Sequence, residues 1–193
     1  STGNIYRAHI FNSTGTFEVT ALGTNSPTAD AVEYLVIGGG GGASSGGGGA
    51  GGYRTNVPTS IAPPSHNTSS TFPVSVATYP VSVGAGGAGG YASSSAGTNG
   101  GDSSFGPPSD PARVISKGGG RGGYVNQDSV GDGGSGGGSG RASTHESPGG
   151  NTLAITGLPV SPTTQGFPGG ANDNTSPYAG GGGGGAGAAG QDA

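Results

Sequence analysis

The sequence predicts a mainly β and irregular fold, in which short N-terminal β-strands pack on a bundle of polyglycine II helices with long loops and essentially no α-helix. Glycine supplies 49 of the 193 residues, and most of it occurs in runs. Three strand-like segments lead directly into such runs, in the stretches YLVIGGGGG, YPVSVGAGG and RVISKGGG. No run is followed by the apolar periodicity of an amphipathic α-helix.

The composition limits how such a chain can fold. Hydrophobic residues make up only 28% of it, and Gly and Pro together make up about a third. This content is typical of disordered chains, yet only 8% of the residues are charged, and disordered chains are usually held open by charge. Because glycine loses much conformational freedom on folding, backbone hydrogen bonds must replace much of the missing apolar core.

Residues 1–37 are predicted to form a β-rich segment. Ile5–Phe11 and Thr16–Thr20 flank the turn-like residues 12–15, which is a hairpin pattern. Residues 32–37 are a third predicted strand, apolar enough to be buried on both faces. Phe17 and Tyr34 are candidate members of the β core.

Residues 38–193 are predicted to form a polyglycine II bundle with interspersed loops, in one compact domain of a longer protein. The alternative is that each run is a flexible linker, but nothing domain-sized lies between the runs. A polyproline II helix has three residues per turn and no internal hydrogen bonds, so neighbouring helices can satisfy one another. A side chain between two such helices would hold the backbones apart, so interior helices must be nearly all glycine. The scaffold glycines predicted on this basis are Gly38, Gly39, Gly40, Gly118, Gly119, Gly120, Gly181, Gly182 and Gly183. Runs that admit polar residues, GGGRGG and GDGGSGGGSG, are predicted at the rim.

Several classes of site are disfavoured. With no Cys there is no disulfide or thiolate metal site. The longest apolar segment, residues 34–37, is far short of the roughly 20 residues of a membrane span, so no membrane insertion is expected. The six basic residues are scattered, which predicts no nucleic-acid partner.

Catalytic and metal sites are disfavoured as well, so we expect no enzyme, no metal and no cofactor. The GxGxxG-like strings lack the following helix of a phosphate loop. A metal site is disfavoured because the histidines are far apart: His9, His66 and His145. Glycan hydrolysis would need a pair of carboxylates, and calcium binding at 128–132 would need a standard loop spacing, which this stretch lacks. The loop acids have no recognisable partners; they are Asp102, Asp110, Asp128, Asp132 and Asp173.

Four tyrosines lie at the edges of glycine runs: Tyr53, Tyr91, Tyr124 and Tyr178. In one interpretation they cap the lattice and cover its ends. In the other they are receptor-contact candidates, because aromatic side chains contribute large rigid area to recognition surfaces.

The order of motifs resembles a known family. HIFNSTGTFEVT, GGGGAGGYRT, YPVSVGAGGAGG, GGSGGGSG and YAGGGGGGAGAAG, in this order, are similar to the glycine-rich domain of phage structural proteins, particularly tail-fibre and adhesin proteins. The resemblance covers about residues 8–190 and implies layered polyglycine II helices whose loops at one end contact the host receptor. No receptor-contact residues carry over, and similar domains occur in animal receptor ectodomains, so the fold does not fix the function.

The expected function is a non-enzymatic virion domain, in a tail fibre or tail tip, that presents receptor-binding loops on a rigid polyglycine scaffold. Its expected partners are a host cell-surface receptor, either a glycan or an outer-membrane protein, and other virion tail proteins. Because tail fibres are commonly trimers, the resemblance implies a homotrimer as one assembly; the other is a bundle that closes within one chain. The alternative is a purely structural or decoration domain of a virion or extracellular fibre without its own ligand. An ice-binding protein would need a regular three-residue repeat, which the irregular loops argue against.

Overall fold

A computed structural model describes residues 7–24, 30–57, 71–126, 129–142, 146, 148–153, 164–175 and 178–193. Within these ranges the chain forms eight short β-strands and no α-helix, which confirms the predicted fold class. The strands are β1 (Gly15–Val19), β2 (Ala31–Val32), β3 (Leu35–Ile37), β4 (Tyr53–Thr55), β5 (Phe72–Pro73), β6 (Ala77–Ser82), β7 (Ser103–Phe105) and β8 (Val114–Ser116).

These strands form a β base at one end of the molecule. β1, β6, β7 and β8 make an antiparallel sheet in that order, and β2–β5 and β3–β4 form two antiparallel pairs. The register places Phe17 opposite Tyr79 and Val81 opposite Phe105. The core of the base is aromatic: the ring of Phe72 lies 4.5 Å from that of Phe105 and 5.7 Å from that of Tyr79. Burial of these rings supplies most of the hydrophobic stabilisation of the base.

Two predictions for the N-terminal segment are wrong in detail. The described residues 7–11 form no strand, so β1 pairs with β6 and not with a preceding hairpin partner. The predicted strand 32–37 is broken into β2 and β3, and the side chains of Leu35 and Ile37 remain 54% exposed. Phe17 and Tyr34 do pack against the core, as predicted.

The three strand-to-glycine junctions are confirmed, because β3, β6 and β8 each lead directly into a glycine-rich segment. The reverse junctions were not predicted from the sequence: β4 and β7 receive the chain as it returns from glycine segments.

Eleven extended segments form the bundle that continues from this base. We name them PG1 (38–43), PG2 (46–52), PG3 (84–90), PG4 (97–102), PG5 (117–123), PG6 (131–134), PG7 (135–140), PG8 (149–153), PG9 (166–171), PG10 (180–185) and PG11 (188–193).

Hydrogen bonds from one segment to a given neighbour recur every three residues. The N–H groups of Gly46, Gly49 and Gly52 all donate to carbonyls of PG5, at 2.9, 2.8 and 2.7 Å. The N–H groups of Gly47 and Ala50 donate instead to PG10, at 3.1 and 2.8 Å. This period of three, with bonds leaving in several directions, is that of a polyglycine II helix.

The hydrogen bonds arrange the segments in three rows. PG3, PG1, PG2, PG10 and PG11 form the first row, PG4, PG5, PG7 and PG9 the second, and PG6 and PG8 the third. PG7 is the centre of this lattice, since it is hydrogen-bonded to six segments: PG2, PG5, PG6, PG8, PG9 and PG10.

The central position of PG7 contradicts the predicted rim location of GDGGSGGGSG. Ser135 and Ser139 are fully buried. Their hydroxyls donate to carbonyls of adjacent segments, Ser135 Oγ to Gly185 at 3.0 Å and Ser139 Oγ to Gly170 at 3.4 Å. A polar side chain is therefore compatible with the lattice centre, provided that it is small and its hydroxyl finds a carbonyl.

Glycine is required in the bundle mainly for space. Among the described residues, the one glycine with positive φ is Gly106, at 103°. A Cβ added to Gly118, Gly119 or Gly120 would lie within 3.0 Å of backbone atoms of a neighbouring segment. The same holds for four of the other six predicted scaffold glycines: Gly38, Gly39, Gly181 and Gly183. Gly40 is exposed and has room for a Cβ, because the nearest atom would be 3.9 Å from it. At Gly182 the nearest atom would be only 3.2 Å from an added Cβ, which is a tight contact.

Candidate functional site

The direction of the segments gives the bundle two different ends. PG1, PG3 and PG5 continue β3, β6 and β8 away from the base, and PG2 and PG4 return to β4 and β7. The turns at the far end therefore lie together. We call this end the distal surface, and its described residues are 43–45, 91–96, 124–126, 129–130, 141–142, 172–175 and 178–179.

Hydrogen bonds join the distal loops to one another. Ser44 Oγ donates to the carbonyl of Ser95 at 2.8 Å, which links the loop 43–45 to the loop 91–96. The N–H of Val125 donates to the carbonyl of Ala92 at 2.9 Å, which links the loop 124–126 to the same loop.

Arg141 completes this set of connections. Its N–H donates to Ser45 Oγ at 3.0 Å, and its carbonyl accepts from the N–H of Asn126 at 2.9 Å. Four loops that are far apart in sequence are thus fixed as one surface.

Three of the four predicted contact tyrosines lie at this end. The side chain of Tyr91 is 78% exposed, that of Tyr178 is 41% exposed, and that of Tyr124 is half-buried. Tyr53 does not join them. It lies in β4 opposite Ile37, at the base end, and its N–H donates to the carbonyl of Gln165 at 3.0 Å.

The residues that hold the distal loops in place were not predicted from the sequence. Ser44, Ser45 and Arg141 are ordinary loop residues in the sequence, and only the packing of the segments brings them into contact. Asn126 gave a usable signal, because asparagine tolerates the left-handed backbone region better than most residues. Its φ is 56° at the turn after PG5.

The distal surface carries few fixed charges. Among its described residues Arg141 is exposed, and Asp173 accepts a hydrogen bond from Thr175 Oγ1 at 2.7 Å. Within the described ranges no group of three or more His, Cys, Asp or Glu residues is placed to hold a metal ion. His66, Asp128 and His145 lie outside the described residues, as do the stretches 58–70 and 154–163. The arrangement is suited to contact through hydroxyls, amides and aromatic rings.

The described ionic groups elsewhere have structural surroundings. Lys117 Nζ lies 2.7 Å from Asp102 Oδ2 in a partly exposed pair, which contributes little to stability. Arg54, in β4, is buried, and its Nη1 donates to the carbonyl of Ile115 in β8 at 3.4 Å. Burial lowers the pKa of this guanidinium, and Tyr34 partly offsets the effect. Both groups lie near the β base, away from the distal surface.

Comparison with known proteins gives a family for the chain. A family model described as "Glycine-rich domain" matches residues 12–193. Neither the curated proteins nor the solved structures contain a significant match. No helix in the described ranges has the length and apolar character needed to cross a bilayer.

Proposed function

The chain belongs to the glycine-rich domain family, and from this premise we propose that it is a non-enzymatic recognition domain whose distal surface binds a receptor on a cell surface. We place it in a phage virion, as part of a tail fibre or tail tip that contacts the host. Its other partners are then the neighbouring tail proteins.

The observation that carries this proposal is the joining of separate loops at one end of a rigid lattice. The loops 43–45, 91–96 and 124–126 and residue 141 are connected by hydrogen bonds of 2.8–3.0 Å. Loops that are ordered before binding lose less conformational entropy when the complex forms. A stiff scaffold with an ordered, irregular end is therefore well suited to recognition.

The chemistry of the distal surface favours a polar ligand such as a glycan or the loops of an outer-membrane protein. Tyr91 is the most exposed of the distal tyrosines, and an exposed aromatic ring can stack on the apolar face of a sugar or pack on a protein surface. Its N–H is fixed by Ser95 Oγ at 3.0 Å. The side chain is thus presented from a defined turn.

The virion location rests on the resemblance of the ordered motifs to phage tail-fibre and adhesin domains. The alternative, a structural or decoration domain without a ligand, uses the same lattice but has no need of a joined loop surface.

Adsorption competition tests the proposal. The purified domain is added to candidate host cells together with the phage whose virion contains the protein, and free phage are counted. We expect the domain to reduce adsorption in a dose-dependent way. The variant Tyr91→Ser should weaken competition by at least about tenfold, which corresponds to about 1.4 kcal/mol of binding free energy.

Val76→Ser provides the matched control. Val76 is 61% exposed and lies at the β base, next to β6. It should compete as well as the unmodified domain. A domain that is folded but neither binds cells nor competes would refute the recognition proposal and leave the structural alternative.

A further inference from the structure

The outer face of the first row has unused backbone hydrogen-bonding groups in a regular array. In PG1 the N–H groups of Gly38 and Gly41 donate to PG2, and those of Gly39 and Gly42 donate to PG4. The remaining N–H groups of PG1, at Gly40 and Ala43, have no acceptor in the described structure, and they point in the third direction, away from the lattice. The same pattern occurs in the neighbouring segments, at Gly48 in PG2 and at Gly86 and Gly89 in PG3. Gly51 in PG2 also lacks a described acceptor, but it is buried and is not part of the accessible face.

The opposite side of the lattice is treated differently. There, side-chain oxygen atoms accept hydrogen bonds from backbone N–H groups that would otherwise be available to a further segment. Asn99 Oδ1 accepts from the N–H of Arg121 at 2.9 Å, and Asp102 Oδ1 accepts from the N–H of Gly118 at 2.9 Å. Asp132 Oδ1 likewise accepts from the N–H of Asn151, at 2.7 Å. PG1, PG2 and PG3 contain no residue larger than alanine, so no side chain of these segments can accept a hydrogen bond from the N–H groups of their outer face.

An apolar patch continues this face at the β base. Ile37 precedes Gly40 by three residues, and the two residues and Ala43 are all exposed. Leu35 and Ile37 are each 54% exposed, and Ile10 is 83% exposed. These side chains line one groove of about 850 Å³ between the segment 7–12 and strands β3, β6 and β7. Exposed apolar side chains gathered in this way mark interaction sites more often than isolated ones do.

We propose that this face, formed by PG1, PG2, PG3 and the Leu35–Ile37 patch, is a contact surface for a second copy of the same chain. The partner must supply backbone donors and acceptors at a three-residue spacing, and its side chains in the contact must be no larger than a methyl group. The face itself meets both conditions. In the described structure the carbonyls of Gly41 and Gly48 and the outward N–H groups have no hydrogen-bond partner, and the largest side chains of the three segments are alanine methyl groups, such as that of exposed Ala43. It is therefore complementary to itself, as a two-fold interface requires.

The geometry also gives an expected strength. Three segments at roughly 5 Å spacing, over nine residues at about 3.1 Å each, give a face on the order of 400 Å² per copy. The total of about 800 Å² is below the size of standard specific interfaces, so the association should be weak and concentration-dependent. A two-fold axis alongside PG1 and parallel to it brings the two apolar patches together. Both distal surfaces then point the same way, which would raise the avidity of the proposed receptor binding.

Sedimentation equilibrium of the unmodified domain, up to about 0.5 mM, tests the proposal, because this range populates a dimer with a dissociation constant of about 10–100 µM. We expect the average mass to rise toward twice that of one chain. The double variant Gly86→Glu/Gly89→Glu should remain monomeric. Both positions have room for a Cβ, with nearest atoms at 3.8 and 3.5 Å, so the monomer fold tolerates the change. The separate variant Ile37→Ser should weaken association at least about threefold without touching the lattice.

Gly187→Glu is the matched control. Gly187 is exposed between PG10 and PG11, outside the proposed face, and a Cβ there would meet nothing within 4 Å. It should associate as the unmodified domain does. A domain that stays monomeric over the whole range, or one whose association is unchanged in the Gly86→Glu/Gly89→Glu variant, would overturn the proposal. A species of three times the chain mass would also overturn it, because a two-fold face cannot close a ring of three.

Discussion

The β base and the polyglycine lattice are held together by different physical interactions in one chain. The base has an aromatic core in which Phe72, Tyr79 and Phe105 contact one another with ring centroids 4.5–6.0 Å apart. The lattice has almost no apolar side chains, and its segments are joined by backbone hydrogen bonds of 2.6–3.3 Å. In the base, stability depends on what the side chains fill. In the lattice, it depends on the absence of side chains.

This difference implies opposite responses to mutation. Removing atoms from the base leaves a cavity, whereas adding a single methyl group at a close-packed glycine of the lattice forces two backbones apart.

The largest effect is expected for Gly119→Ala combined with Gly120→Ala. Each added Cβ would lie within 3.0 Å of the backbone of a neighbouring segment, PG2 for the first and PG6 for the second. Overpacking of about 3 kcal/mol at each site would total about 6 kcal/mol, comparable with the whole stability of many domains. We expect no cooperative thermal unfolding transition by circular dichroism. A variant that unfolds within a few degrees of the unmodified protein would show that PG5 is not close-packed.

In the base, Phe105→Ala should destabilise the protein by about 3–5 kcal/mol, because it removes a buried ring from the core. Urea unfolding measures the loss. A free energy of unfolding that hardly changes would contradict the proposed difference between base and lattice, because the aromatic core would then contribute little to stability.

Ser135→Ala tests the shorter of the two side-chain hydrogen bonds that the serines of PG7 make at the centre of the lattice. It removes the hydrogen bond of 3.0 Å from Ser135 Oγ to the carbonyl of Gly185. That carbonyl keeps a second donor, the N–H of Phe167 at 3.1 Å, so the expected loss is only about 1 kcal/mol. Urea unfolding again gives the value. A loss above about 3 kcal/mol would mean that the hydroxyl sets the register of the segments.

The smallest effect, and the one of opposite sign, is expected for Gly187→Ala. A Cβ at this position meets nothing within 4 Å, and its φ is not in the left-handed region. Alanine should stabilise the protein by about 0.4–1 kcal/mol, because it restricts the unfolded chain. A clear fall in the thermal midpoint would contradict the claim that glycine is needed for space and not for backbone conformation.

The sequence was informative where the pattern is local. Strand-to-glycine junctions are visible in a few residues, so β3, β6 and β8 were correctly expected before their glycine segments. β4 and β7 were missed because Tyr53–Thr55 and Ser103–Phe105 are short and partly polar. Only pairing with β3 and with β6 and β8 makes them strands.

The positions of segments within the lattice could not be predicted. The order of neighbours depends on where the loops return the chain, and that is a long-range property. The segment at 135–140 looked peripheral because it contains two serines, yet it is the centre. The separation of Tyr53 from Tyr91, Tyr124 and Tyr178 has the same origin, since all four flank glycine runs in sequence. Which end each reaches depends on the direction of its segment.

Hydrogen exchange of backbone amides, resolved by residue, tests the central claim most directly. The account predicts that amides in PG7, such as Gly136 and Gly138, exchange only when the whole domain unfolds, because all of PG7 is enclosed by six hydrogen-bonded segments. In dilute solution, where the proposed pairing is absent, the unpaired amides of Gly86 and Gly89 should exchange without measurable protection. If the PG7 amides exchanged as fast as these two, the glycine segments would not form a lattice and the account would be wrong.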